Sequence, residues 1–162
     1  MKTKTKATHS ITFLLVLTIA FFMSCTDGTI YHQYAAIDKD GWNKYATAVF
    51  KADISDTVGE YNVIIDIRHR TDYPYQNLHL FVYSYSPDSV MMGDTLNCFL
   101  ADNQGRWVGK GIGSTKSLPI LYLHNIKFPT AGVYTFEIKQ GMRDDVLHGI
   151  NDIGLSIQKV EK

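Results

Sequence analysis

Cysteine is almost absent, with only Cys25 and Cys98 in 162 residues. A disulfide framework is excluded, so the core must hold the fold unaided. Cys98 lies between Leu96 and Leu100 at strand spacing and reads as a small buried hydrophobe, not a nucleophile. Basic runs are missing beyond the N-terminus, which argues against a nucleic-acid partner. Spaced metal ligands are missing too. His32, His69, His79, His124 and His148 stand singly, without H-x-x-x-H or C-x-x-C spacing. Asp144, Asp145 and Asp152 lack the spacing of a calcium loop and read as a solvated segment. No G-x-S-x-G occurs, and Gly111-Ile112-Gly113-Ser114-Thr115, the nearest match, lacks both the spacing and a following helix. Gly109, Gly111 and Gly113 lack the strand–turn–helix context of a phosphate loop and fit close backbone packing in a hairpin. Nothing in the spacing favours paired carboxylates for glycoside cleavage. The residues point to no enzyme, no cofactor and no metal.

What is present begins at residue 1. Lys2, Lys4 and Lys6 precede an apolar run, Ile11 to Met23, that is too short to span a bilayer, which takes about 20 residues. The run has the length and flanks of a signal-peptide core. It ends at Ser24-Cys25, and the poor fit of Phe22 to an ordinary cleavage site makes this junction resemble a lipobox. The expected organisation is a signal peptide over 1–24, a tether over 25–29 and one domain over 30–162. Cys25 is the expected lipid attachment, and the anchor is the expected contact with a membrane. Three of the 16 lysines and arginines leave with the signal, and all 16 acids stay, so the mature chain is mildly acidic.

Beyond the tether the periodicity is two. Tyr61, Val63, Ile65 and Ile67 alternate with more polar neighbours, as do Leu78, Leu80 and Val82. The pattern recurs at Leu96, Cys98 and Leu100, at Tyr134, Phe136 and Ile138, and at Ile153, Leu155 and Ile157. Weaker segments are Ala46 to Ile54, Arg106 to Lys110 and Leu118 to His124. Turn residues at Asp56 to Gly59, Tyr73-Pro74, Pro87-Asp88, Asp102 to Gly105 and Pro129 to Gly132 separate them. Met142 to Ile150 reads as a turn or a short helix at most. The prediction is all-β: an antiparallel β-sandwich, jelly-roll or Ig-like, of about eight strands, with a closed barrel as the alternative.

The remaining feature is aromatic. Tyr73 and Tyr75 flank Pro74 just before a strand, Trp107 follows the Gly105 turn, and Trp42 sits in Gly41-Trp42-Asn43. Two readings stand: exposed rings of a sugar-binding or protein-binding face, or rings capping the ends of a core. With Asn77 and Arg143, these four are the candidate partner or glycan contacts.

Several stretches carry a family resemblance. They are Tyr31-His32-Gln33-Tyr34, Gly41-Trp42-Asn43, Asp72-Tyr73-Pro74-Tyr75-Gln76-Asn77-Leu78, Gly105-Arg106-Trp107-Val108-Gly109-Lys110-Gly111 and Gln140-Gly141-Met142-Arg143. Together they resemble the gliding-motility lipoproteins of the GldH family. The resemblance implies an envelope lipoprotein associated with gliding motility and its linked protein-secretion system. It implies no activity or ligand, so only the lipidated cysteine carries over, onto Cys25. The expected partners are envelope proteins of that machinery. Lipoproteins exported to the surface of these bacteria often carry an acidic stretch after the cysteine, so the resemblance, with a single acid in Thr26-Asp27-Gly28, favours a periplasm-facing domain and keeps surface exposure open; the outer membrane is the expected membrane. The expected role is a non-enzymatic adaptor, and the alternative is a lipid-anchored carbohydrate-binding module.

Overall fold

The computed structural model describes residues 28–161. The expected signal segment, the expected lipobox and Cys25 lie outside the described residues. Ten strands follow one another: β1 Thr29–Ala36, β2 Trp42–Asn43, β3 Ala48–Ile54, β4 Tyr61–Arg70, β5 Asn77–Tyr85, β6 Met91–Phe99, β7 Thr115–Ile126, β8 Gly132–Gln140, β9 Val146–Leu147 and β10 Ile150–Lys159. Sheet A has the order β1-β10-β4-β7, sheet B pairs β2 with β9, and sheet C has the order β3-β8-β5-β6. Every pairing is antiparallel. The expected antiparallel sandwich is what forms.

Side-chain alternation explains the two large sheets. In β4, Tyr61, Val63, Ile65, Ile67 and His69 are buried while the residues between them are half-exposed. Ala48, Phe50, Ala52 and Ile54 of β3 face the same core, as do Leu78, Leu80 and Val82 of β5. Tyr134, Phe136 and Ile138 of β8 complete sheet C's inner face, and Ile153, Leu155 and Ile157 of β10 extend sheet A's. Each fully buried Leu, Ile or Phe contributes about 1.5–3 kcal/mol of transfer free energy. Cys98 is buried in this core, where burial pushes its thiol up to about 11.

Locally the structure adds to the expected strands and departs from one of them. Among the described residues ten strands stand against about eight expected: β1, β2 and β9 are added and Arg106 to Lys110 drops out, β2 and β9 being two-residue ladders too short to leave a period. β1 pairs along its length with β10, yet its exposure does not alternate, since it forms the outer edge of sheet A and bulges at Ile30. Arg106 to Lys110 is not a strand: it contributes only the isolated bridges Ala101↔Trp107 and Lys110↔Ser117. There the glycines allow close approach, and a Cβ on Gly111 would lie 2.2 Å from the Thr115 carbonyl oxygen. Met142 to Ile150 holds turns, one of its two expected forms, together with β9.

The register defines two poles. Thr29 pairs with Gln158 and Tyr61 with Lys159 and Ile126, so one pole gathers Gly28 and the C-terminal end of β10. Lys159 Nζ bonds Asp56 Oδ2 there at 2.6 Å, and with the Gly59 and Val58 amides it holds that carboxyl well below the usual carboxylate range. Ala36, Asp152, Arg70 and Thr115 mark the other pole. β4 has ten residues, so at about 3.3 Å per residue the poles are roughly 30 Å apart.

Candidate functional site

The pole remote from Gly28 carries a shallow cup of about 330 Å³ lined by Tyr73, Pro74, Tyr75, Gln76, Ala101, Asp102, Asn103, Gly105 and Trp107. Its first wall is the chain leaving β4. Arg70 grips Asp72 through two bonds of 2.9 and 3.0 Å, and the Arg70 amide donates to the Gly149 carbonyl at 2.7 Å. This turn drives the Tyr73 ring inward to 4% exposure. Its hydroxyl donates to the Asn77 carbonyl at 3.0 Å, and burial raises the phenol well above its ordinary value. Pro74 then directs Tyr75 outward. The two tyrosine rings meet edge to face with centroids 5.9 Å apart. The Tyr75 hydroxyl donates to Asp144 Oδ2 at 2.8 Å, which joins this loop to the Gln140–Asp144 segment beside exposed Arg143.

The second wall is the hairpin after β6. The Gln76 carbonyl accepts from the Leu100 and Ala101 amides at 2.8 and 3.0 Å, and Gln76 Nε2 donates to the Asp102 carbonyl at 2.7 Å. The Asp102 carboxylate accepts from the Arg106 and Gln104 amides and from Arg106 Nε, all within 2.9 Å. Those bonds lower its pKa and fix the turn. Trp107 is half-buried against the core, and its ring lies 4.6 Å from that of His69.

His69 was not singled out from sequence, yet it is fully buried beneath this cup. Its Nδ1 donates to the Arg70 carbonyl at 2.9 Å, which leaves Nε2 as an acceptor without a partner. Burial, with Lys116 adding, pushes its pKa down and keeps the ring neutral. Such an orphaned acceptor costs about 1–3 kcal/mol. No serine, threonine or cysteine lines the cup, and the Asp102 carboxylate is committed to its own turn. The cup offers flat rings and amide edges. Among the described residues no group of three or more His, Cys, Asp or Glu is placed to hold a metal ion.

The structure thus brings Tyr73, Tyr75 and Trp107 together and sets Arg143 next to Tyr75's acceptor. It does not bring in Trp42 or Asn77. Trp42 is 1% exposed and its indole donates to the Ala46 carbonyl at 3.1 Å. The reading of Trp42 as an exposed contact is therefore corrected: its ring is core, placed there by the β2–β9 ladder. Tyr73 is corrected in the same sense, since its buried ring supports the cup more than it presents itself. Asn77 donates to Asn97 Oδ1 at 2.7 Å and lies 3.2 Å from His79 Nε2, on the outer face of sheet C. Sequence reasoning also missed a polar cluster on the outer face of sheet A. There Asp66 accepts from the Tyr34 hydroxyl and, at 2.7 Å, from Ser117 Oγ, while the Arg68 guanidinium lies 3.8 Å from the centre of the Tyr34 ring. Its members come from three strands, so only the polar alternation of Asp66 and Arg68 along β4 hints at it.

A family model described as GldH lipoprotein matches residues 29–157. The chain belongs to the GldH lipoprotein family. The gliding motility lipoprotein GldH homolog of Christiangramia forsetii is 34% identical over 91% of this chain and 94% of its own length. The gliding motility lipoprotein GldH of Flavobacterium johnsoniae is 28% identical over 90% of this chain and 94% of its own. Among solved structures, a family GH115 4-O-methyl-alpha-glucuronidase matches 82% of this chain and 18% of its own at 14% identity, with a TM-score of 0.40. That likeness is too low to bear on fold or function. The GldH match spans both walls of the cup, the β2–β9 ladder and the outer-face cluster.

Proposed function

We propose that this GldH-family chain is a non-enzymatic adaptor of a gliding-motility apparatus and of the protein secretion linked to it, anchored through lipid on Cys25. The names of both relatives support the motility assignment. The observation that carries the adaptor reading is the separation of the two poles. Gly28, three residues after Cys25, enters beside Lys159, whereas the Tyr75–Trp107 cup lies at the remote pole. A lipid on Cys25 therefore holds one end of a stiff sandwich and turns the other away from the bilayer. The domain faces the periplasm from the outer membrane, in keeping with the single acid after the cysteine.

The test changes Tyr75→Ala and Arg143→Ala together and omits Tyr73 because it is buried. The expected outcome is a folded, normally abundant protein that fails to support motility or secretion. A double variant that is folded, abundant and behaves as wild type contradicts the adaptor site. A second reading, a carbohydrate-binding module, is favoured by one observation: the Tyr75 and Trp107 rings share the cup with the Gln76 and Asn103 amides. A glycan array that stays blank at high protein concentration removes it.

A further inference from the structure

Each large sheet ends in two edge strands, and three of the four edges are guarded. β1 bulges at Ile30, and β3 exposes Lys51 and Asp53. β7 contains Pro119 and Lys116 and shifts register twice against β4. Bulges, charges and proline are the devices by which proteins stop edges from pairing. β6 has neither bulge nor proline. It pairs with β5 at all nine positions without a shift, contains no proline, and carries one charged residue, Asp94. Asp94 is exposed, but it lies on the same face as Leu96 and Cys98, away from the outer face, and accepts the Tyr122 hydroxyl of β7 at 2.5 Å.

The ladder fixes which backbone groups stand open. At one end the Leu100 amide bonds Gln76, and at the other the Val90 carbonyl accepts from Ser86. Directly bonded pairs alternate along an antiparallel ladder. Even-numbered positions of β6 therefore bond β5, and Met91, Gly93, Thr95, Asn97 and Phe99 turn their N–H and C=O groups outward. Among the described residues no other strand pairs with them. The side chains along this edge are mainly apolar: Met91, Met92 and Phe99 are 58%, 59% and 60% exposed, and Val90 just before them is 62% exposed.

We infer that β6 is a docking edge for an extended, uncharged segment of a partner protein, apolar at alternate positions, which adds to sheet C as a fifth strand. The open backbone groups supply its hydrogen bonds, and Met91 and Phe99 contact it on the outer face. The outer-face residues of the edge, Met91, Gly93, Thr95, Asn97 and Phe99, carry no charge, so a charged side chain laid against them would lose hydration without compensation. Antiparallel pairing with a second copy would turn the two Gly28 poles in opposite directions. Two chains tethered to one membrane cannot do that while both stand upright, so the choice of a partner over a second copy rests on the anchored reading above.

Hydrogen exchange of the full lipidated chain tests this, comparing protein purified in detergent with protein in its native envelope. The β6 amides of Met91, Gly93, Thr95, Asn97 and Phe99 exchange fast in detergent and become protected in the envelope, while the edge amides of β3 stay unchanged. Thr95→Pro removes one outward donor without breaking a bond to β5 and abolishes the protection; Thr95→Ala keeps it. Thr95→Lys, which retains the backbone donor, also abolishes it, should the proline variant fail to fold. Absence of protection in the envelope, or protection that survives both Thr95→Pro and Thr95→Lys, overturns the inference. So does a photo-crosslink from position 97 that maps to a second copy of this chain. Because Tyr75 and Arg143 are untouched, failure here leaves the remote-pole reading standing.

Discussion

Two aromatic residues that look alike in the sequence have opposite roles. Trp42 fills the core, and Tyr75 faces solvent with one hydrogen bond to Asp144. Trp42→Ala is expected to cost about 3–5 kcal/mol, as large-to-small changes of buried aromatics do. Tyr75→Ala is expected to cost about 1 kcal/mol or less, as loss of one exposed hydrogen bond does. Urea denaturation of the two variants reads this difference directly. His69 adds a pH dependence. Its folded pKa lies below its ordinary value because burial opposes the charge. The unfolded chain takes up the proton as pH falls through about 6.5, and the folded chain does so only at lower pH. The contribution of His69 to stability is thus fully present above that value and declines below it. The measurement is denaturation of wild type and His69→Phe between neutral and mildly acidic pH. Wild type is expected to lose more stability than the variant over that interval; equal losses contradict the buried, neutral His69.

At the scale of elements, the strands with one wet and one dry face were legible because their alternation is complete. β4 and β8 bury every second residue, and so their sequences show the period. β1 and the outer part of β7 lie at an edge, where both faces are partly wet, and the period fades. β2 and β9 are too short to have one. The cup was half legible: Asp72–Leu78 and Gly105–Trp107 announce turns and rings, but only the Gln76 bonds to Leu100, Ala101 and Asp102 bring the two turns together. The depth to which each ring sinks depends on the turn geometry, which is why the sequence leaves both readings of Trp42 and Tyr73 open. One element-scale constraint is a glycine. A Cβ on Gly154 of β10 would lie 2.6 Å from the Tyr34 ring of β1. Gly154→Ala is therefore expected to displace Tyr34 from Asp66 and loosen β1, seen as faster amide exchange along Thr29–Ala36 with β8 unchanged. Unchanged exchange in β1 would contradict that packing.

At the scale of the whole molecule, the arrangement is a rod with a chemical polarity. Gly28 and the Asp56–Lys159 pair mark one end, and the aromatic cup marks the other. The open β6 edge runs along its side. The antiparallel sandwich keeps the ends apart because ten-residue strands run between them without a break in the core. An adaptor needs this rigidity, since a partner held at one end must be placed at a fixed height above the membrane at the other. The most direct test of that claim is photo-crosslinking in native envelopes, with the reactive group at position 75 and a control at Val49 on the outer face of β3, followed by mass spectrometry. The account predicts adducts to motility or secretion proteins from position 75, none of the same identity from position 49, and their loss when Cys25→Ala removes the anchor. No adduct from position 75, or the same adducts from both positions, would contradict it.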